Sequence, residues 1–288
     1  MRDQAERLRE LVNSKNHRAN SRKARIIAVT SGKGGVGKTN LSVNLSICLS
    51  KLGQKVTLID TDLGLANIDL MLGMIPKYHL GHFFSGERDL ADVVMEGPAG
   101  VRIIAGGSGL QELANIDSWQ LDNCIERLFT LDEDNDFIIL DTGAGISSKV
   151  IRFLLAAEEI IVVTIPEPTS IADAYGVIKI LSKENPNAKI YVAVNMVKSD
   201  EEGEQVVERL RIVAEKFLQF PLESLGHIHY DHNVPKAVKQ QQPFMVTHPN
   251  SKASQGVWKM AEHLLLLPEH PSRGIAMFFQ KLFYGKAR

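Results

Sequence analysis

Cysteine is nearly missing from this sequence: among 288 residues only Cys48 and Cys124 carry a thiol. They lie far apart in apolar helical contexts, which excludes a disulfide or cysteine-based metal framework and predicts two buried thiols in a reducing cytosol. An excess of charge is also missing. Lysine and arginine number 33 against 34 aspartate and glutamate, a formal net charge of −1, so the whole chain offers no field for a polyanion and only a local basic cluster could supply one. Such clusters stand at the two ends. No stretch reaches the ~18 consecutive apolar residues of a spanning helix, and the opening MRDQAERLRELV is charged throughout, unlike a secretory signal. The expectation is a cytoplasmic protein with peripheral membrane contact at most.

What the sequence does have is alternation. Apolar, β-branched runs (RIIAVT, KVTLID, VRIIAG, DFIILDTGAG, EEIIVVTIPE, KIYVAVNMV, ESLGHIHYD) are separated by helical patterns near 40–52, 116–131, 170–181 and 203–217. Continuous apolar strands between amphipathic helices are the pattern of a parallel sheet covered on both faces, so an α/β, doubly wound, mostly parallel sheet is expected. Residues 13–24 are polar, basic and without apolar periodicity, which predicts a flexible linker. The expected organisation is a short N-terminal helix over 1–12, that linker, a core domain over 25–268 and an amphipathic helix over 269–288.

The first strand-to-helix turn reads GKGGVGKT, Gly32 to Thr39. It fits the phosphate-loop pattern G-x-x-x-x-G-K-[ST] in the required strand–turn–helix context. Glycines let successive backbone N–H groups turn toward phosphate oxygens, Lys38 reaches the β- and γ-phosphates, and the Thr39 hydroxyl can ligate Mg²⁺. Lys33 has no place in that template. With no acidic neighbour in sequence, it is expected to be solvated or aimed at another molecule's nucleotide.

KGGVGKT, Lys33 to Thr39, resembles the deviant Walker A loop of the MinD/ParA superfamily of P-loop NTPases. The resemblance implies an ATPase using ATP and Mg²⁺, nucleotide contacts from Gly34, Gly35, Val36, Gly37, Lys38, Thr39 and Asn40, and an ATP-dependent homodimer in which Lys33 contacts the partner's nucleotide. It assigns Asp62, in TLIDTDLG, to polarising the attacking water, and Asp60 to ordering the Mg²⁺ shell. FIILDTGAG is a hydrophobic strand ending in Asp141, the form of a carboxylate that holds Mg²⁺ directly or through water; Gly143 to Gly145 supply a backbone able to sense a γ-phosphate. Asn195, in YVAVNMV, falls where the family reads the base. The segment HIHYDHNVPKAVKQQQPF resembles the loop over base and ribose, which puts Asp231 and Pro235 at the nucleotide. His227, His229 and His232 cluster in sequence, but strand alternation and the lack of another ligand group make them surface or loop histidines in this reading.

At the C-terminal end, SRGIAMFFQKLFYGKAR sets Ile275, Phe278, Phe279, Leu282 and Phe283 on one helical stripe, with Arg273, Lys281, Lys286 and Arg288 and no acidic side chain. Five apolar groups at ~1.5–3 kcal/mol each, plus ~1 kcal/mol per nearby cation, suit an anionic membrane surface. MinD-like proteins place a membrane-targeting helix here, and the reading is of a membrane helix rather than one packed on its own domain. At the other end Asp3, Gln4, Ala5, Leu8 and Arg9 match the DQAxxLR helix of flagellar-number regulators of the FlhG (also FleN, YlxH) type. That likeness implies activation of the signal-recognition-type GTPase FlhF, with either flagellar switch (C-ring) proteins or a flagellar transcription regulator as further partners, and peripheral residence on the inner face of the cell membrane when ATP is bound. The competing reading is a ParA-like partition ATPase holding nonspecific DNA through the basic linker; the resemblance to the flagellar branch makes DNA the less expected partner. An iron–sulfur carrier of the same superfamily would need interface thiolates in a C-x-x-C pair, which the sequence lacks.

Overall fold

The computed structural model describes residues 23–62, 67–106, 118–267, 272 and 274–285. Eight strands occur among them: β1 (Arg25–Ser31), β2 (Val56–Asp60), β3 (Val94–Glu96), β4 (Arg102–Ile104), β5 (Phe137–Ala144), β6 (Glu159–Thr164), β7 (Lys189–Val197) and β8 (Glu223–His229). They form one sheet in the order β3-β4-β2-β5-β1-β6-β7-β8. Every neighbouring pair is parallel except β3 with β4. The helices are α1 (Lys38–Lys51), α2 (Ile68–Leu72), α3 (Leu80–Phe84), α4 (Leu90–Val93), α5 (Ser118–Arg127), α6 (Phe129–Glu133), α7 (Ser148–Ala156), α8 (Pro168–Glu184), α9 (Asp200–Leu218), α10 (Asn233–Lys239), α11 (Phe244–Thr247), α12 (Lys252–Leu266) and α13 (Gly274–Tyr284).

The central strands are apolar throughout because both sheet faces are covered. Ile26 and Ala28 of β1, with Ile138 and Leu140 of β5, pack into one layer with α3, α5, α7, α8, α9 and α13. Ile27 and Val29, with Phe137 and Ile139, point the other way into a layer built by α1 and α12. This alternation within unbroken apolar runs is what period-two side-chain direction demands of a doubly covered sheet. After β1 the chain crosses to β2 on one side; after β5 it crosses to β6 on the other. The crevice at the carboxyl ends of β1 and β5 is therefore the topological switch point, where open α/β sheets bind ligands.

The ends of the chain depart from expectation. Ala24, placed in the flexible linker, is fully buried, and its carbonyl accepts a hydrogen bond from the Ser272 hydroxyl at 2.6 Å. The proposed membrane helix is α13, and it is part of the core. Ile275, Phe278, Phe279 and Leu282 are all buried; Phe279 and Phe283 meet Phe84 of α3 at ring separations of 5.2 and 5.6 Å, and Phe278 meets Phe153 of α7 at 6.2 Å. The stripe expected to face lipid thus faces α3 and α7 in this arrangement, and Lys281 is half-buried beside it. The reason is that aromatic stripes satisfy a protein groove as well as a bilayer. Arg273, Lys286 and Arg288 lie outside the described residues, as do Asp3, Gln4, Ala5, Leu8 and Arg9 of the N-terminal motif. Among the described residues no helix is long and apolar enough to cross a membrane.

Candidate functional site

β1 delivers the chain to the switch point, and the loop Gly32–Gly37 turns it into α1. Two glycines are dictated by close approach. A Cβ on Gly32 would lie 2.3 Å from the Asp173 backbone of α8, and one on Gly37 would lie 2.2 Å from Asn195 Nδ2. Gly37 also has φ 90°, in the left-handed region. α1 opens on Lys38 with no side-chain cap and no acidic residue in its first turn. Its leading N–H groups are thus left to an anion, with the positive end of the helix dipole behind them.

Around that helix start, three polar side chains converge on one carboxylate. Asp141, buried within β5 three residues before its end, accepts from Lys38 Nζ (3.0 Å) and the Ser42 hydroxyl (2.8 Å) at Oδ1, and from the Thr39 hydroxyl (2.7 Å) at Oδ2. Ser42 has no place in the sequence reading. Its signal is a hydroxyl one helical turn beyond Lys38 on a buried face. The Thr39 hydroxyl and the Asp141 carboxylate are hard oxygen donors side by side next to a lysine, the chemistry Mg²⁺ requires, with phosphate oxygens and water able to complete its shell. These residues fit the ion.

Asp60 stands opposite Asp141 across β2 and β5. Burial, then the Asp141 charge, push its carboxyl up to about 6, opposed by backbone N–H donors. Those donors define its work: Oδ1 accepts from Asp62 N at 2.9 Å, and Oδ2 from Asn67 N at 3.0 Å and Ile68 N at 3.4 Å. Asp60 therefore holds the backbone of Asp62 and the start of α2. Asp62 is half-buried, with Oδ1 3.5 Å from where a Cβ on Gly143 would stand. The water-polarising candidate and the γ-phosphate-sensing candidate are neighbours. The strand ends beneath them are joined by Thr61, whose N–H and hydroxyl both donate to the Asp141 carbonyl at 2.9 Å.

Lys33 has an acidic neighbour after all, 134 positions away: Nζ lies 2.8 Å from Glu167 Oε2 and 3.3 Å from the Thr169 hydroxyl. Glu167 ends the β6–α8 turn and Thr169 lies in the first turn of α8, and the ion pair is open to solvent, Lys33 at 31% and Glu167 at 58% side-chain exposure. An ion pair this exposed is worth ~0–1 kcal/mol, so a phosphate can displace the carboxylate at small cost. Gly34 and Gly35 are exposed in the loop, Val36 is buried beneath it, and Asn40 is half-buried in the first turn of α1.

Near the end of β7, Asn195 donates from Nδ2 to the Val36 carbonyl at 2.9 Å, while its Oδ1 accepts from Met196 N at 2.9 Å. A register shift between Val194 and Val197 and a left-handed Met196, φ 59°, turn the strand end toward the phosphate loop. Asp231 is engaged by backbone: Oδ1 accepts from Asn233 N at 2.9 Å and Oδ2 from Ala253 N at 3.3 Å. Burial raises its carboxyl, but these donors and the Ser251 hydroxyl outweigh it and leave Asp231 below the usual carboxylate range. Pro235 is exposed in the first turn of α10. His227 and His229 do not behave as scattered surface histidines. Two residues apart on β8, they share a face, and both ring Nε2 atoms meet Asp200 Oδ1, at 2.7 and 3.2 Å. His232, exposed at the start of α10, stands outside that group.

Comparison with known proteins places this geometry. The profile of the CobQ/CobB/MinD/ParA nucleotide binding domain matches residues 27–244. The antiactivator FleN of Pseudomonas aeruginosa is 40% identical over 259 residues, 89% of this chain and 92% of that protein. The flagellum site-determining protein YlxH of Helicobacter pylori is 35% identical over 98% of both chains. The septum site-determining protein MinD of Pyrococcus horikoshii, solved with Mg-ADP, superposes with a TM-score of 0.66 at 29% identity, covering 84% of this chain and 96% of that one.

Proposed function

The chain belongs to the CobQ/CobB/MinD/ParA nucleotide-binding family and is an ATPase that works with Mg²⁺, and from that premise we propose that it is a dimerising, membrane-cycling regulator of flagellar number or placement. The observation that carries the dimer is the division of labour between its two loop lysines. Lys38 is committed inward to Asp141, whereas Lys33 points to an exposed rim, where among the described residues Glu167 and Thr169 hold its ammonium.

Each residue then has a task. Lys38 and the N–H groups opening α1 hold the β- and γ-phosphates, and Thr39 with Asp141 would hold Mg²⁺, which when bound neutralises charge on those phosphates. When a second copy docks, Lys33 exchanges Glu167 for the partner's nucleotide and stabilises the transferred phosphoryl group in trans. Asp62, fixed by Asp60, orients the attacking water beside Gly143. Gly143–Gly145 registers the γ-phosphate, and loss of phosphate reverses docking. Asn195 reads the base once it leaves the Val36 carbonyl, and Asp231 and Pro235 frame the base side.

The membrane step involves α13. Its apolar stripe is covered by α3 and α7, so lipid binding requires that it leave its groove. The apolar burial lost is of the same order as that regained in a bilayer interface, ~1.5–3 kcal/mol per side chain. Such an exchange is close enough to balance for ATP-driven dimerisation to tip it, and two released helices gain effective concentration over one. The flagellar role is supported by the likeness to FleN and YlxH over most of the chain. The Asp3–Arg9 motif is assigned to stimulating an FlhF-type GTPase. Co-sedimentation with anionic liposomes tests the cycle: the full chain is expected to pellet with ATP, to remain in solution with ADP, and to remain in solution with ATP when the liposomes are omitted. Equal recovery with both nucleotides would remove the membrane step.

A further inference from the structure

β8 is the edge strand on the side of the sheet away from β3. Gly226, with φ 132°, and a register shift against β7 break its simple alternation. Leu225 and Ile228 are drawn into the layer beneath α12, while His227 and His229 turn toward the first turn of α9. Gly203 of α9 makes the approach possible, since a Cβ there would lie 2.8 Å from the His227 ring. Asp200, the first residue of α9, completes the group. His227 Nε2, His229 Nε2 and an Asp200 carboxylate oxygen all lie within 4.8 Å of one another, with the rings 5.6 Å apart at 76°.

We propose that Asp200, His227 and His229 form a binding site for a first-row divalent transition-metal ion of the zinc type, with water completing its coordination. Two imidazoles and one carboxylate are a borderline donor set, suited to zinc, cobalt or nickel and poor for Mg²⁺ or Ca²⁺, which require oxygen. The site is therefore chemically distinct from the Thr39–Asp141 pair. A histidine–aspartate hydrogen bond needs one ring; here two rings direct the same nitrogen at one carboxylate oxygen, at 2.7 and 3.2 Å. Tetrahedral ligands at ~2.0–2.1 Å from zinc stand about 3.3–3.4 Å apart. Seating the ion widens the His227–Asp200 separation by roughly 0.6 Å and leaves the His229–Asp200 separation close to its present value. The three side chains are partly open to solvent, at 58% for Asp200, 23% for His227 and 26% for His229, which leaves an entry path and room for water.

A bound ion would join two segments that diverge from the base side of the nucleotide. Asp200 follows Asn195 along the β7–α9 connection, and His229 precedes Asp231 at the end of β8. Metal binding is thus expected to brace the asparagine that touches the phosphate loop. This consequence rests on the proposed base-side role of Asn195; the site itself does not.

The test uses untagged full chain stripped with chelator, then titrated calorimetrically with ZnCl₂ in millimolar Mg²⁺ and without nucleotide. His229→Gln and Asp200→Asn are run in parallel, with circular dichroism to verify folding. The site predicts about one zinc per chain in the wild type and an affinity at least ~10-fold weaker in each variant. Co²⁺ on the unaltered chain supplies a readout that needs no variant: a visible d–d band, abolished by adding zinc. The proposal is overturned if the wild type takes up no zinc at ~100 μM and gives no cobalt band, or if the folded variants bind as tightly as wild type, which would put the ion elsewhere, for instance at the adjoining rings of His79 and His82. ADP affinity, measured with and without zinc, separately tests the brace.

Discussion

At the scale of single residues, the two lysines of the phosphate loop make opposite predictions. Lys33→Ala should leave ADP binding close to wild type while ATP turnover falls, an in-trans cation of this kind being worth on the order of 10³-fold; titration of a fluorescent nucleotide beside a phosphate-release assay separates the two. Glu167→Gln removes the competing carboxylate and should favour ATP-dependent self-association by a few-fold, because the exposed pair is worth ~0–1 kcal/mol. Asp62→Ala is expected to lower turnover by ~10²-fold or more without loss of ATP binding, as removal of a water-orienting carboxylate does. The loop, Lys38, Thr39 and Asp141 were legible in the sequence because each follows from a local pattern on a strand end or helix start. Glu167 was not, since nothing local relates it to Lys33, and neither was the Asp200–His227–His229 group, which depends on a glycine bulge and a helix start from another part of the chain. Ser42 was within reach, as a hydroxyl at i+4 from the loop lysine.

At the scale of elements, α13 teaches the most. Its hydrophobic period was plain, but period alone does not say whether a stripe meets lipid or protein. The partners that decide it, Phe84 and Phe153, lie on α3 and α7, far away in sequence. With α13 in the core, Phe279→Ala, at a fully buried position, should lower the free energy of unfolding by about 3–5 kcal/mol; unchanged thermal unfolding would contradict that packing. Its N-terminus also titrates. Asp132 Oδ1 accepts from Ile275 N at 2.8 Å while Oδ2, also buried, has no partner among the described residues, and burial, opposed by that N–H and by Lys23, pushes the carboxyl up from 3.8 to about 6. A carboxyl raised in the folded state favours folding most when protonated, and that contribution is lost as pH rises through about 6. Docking of α13 should therefore tighten between pH 7.5 and pH 5.5, by on the order of 1 kcal/mol, seen as greater amide protection in α13 after correction for intrinsic exchange. Looser docking at pH 5.5 would contradict it. The central strands were read correctly because continuous apolar runs of five to nine residues leave little else to be. Short β3, with only Val94–Glu96 and an antiparallel partner, lacked enough length to show a period.

At the scale of the molecule, the sheet order explains why distant segments serve one site. The crossings after β1 and β5 run in opposite directions and open the crevice that the phosphate loop, Asp62, Asp141 and Gly143 line together. The doubly wound class followed from alternation of strands and helices. The order of strands, and with it the meeting of Asn195 with Val36, depends on long-range pairing that no sequence window contains. The same crevice leaves Lys33 at an exposed rim, and the proposed cycle turns on what that lysine meets. Light scattering after size exclusion, on Asp62→Ala with Mg-ATP and with Mg-ADP, is the most direct measurement. A lysine that reaches a partner's nucleotide predicts twice the chain mass of 31.9 kDa with ATP and the single-chain mass with ADP. A single-chain mass with both nucleotides, at concentrations where ATP is bound, would contradict it.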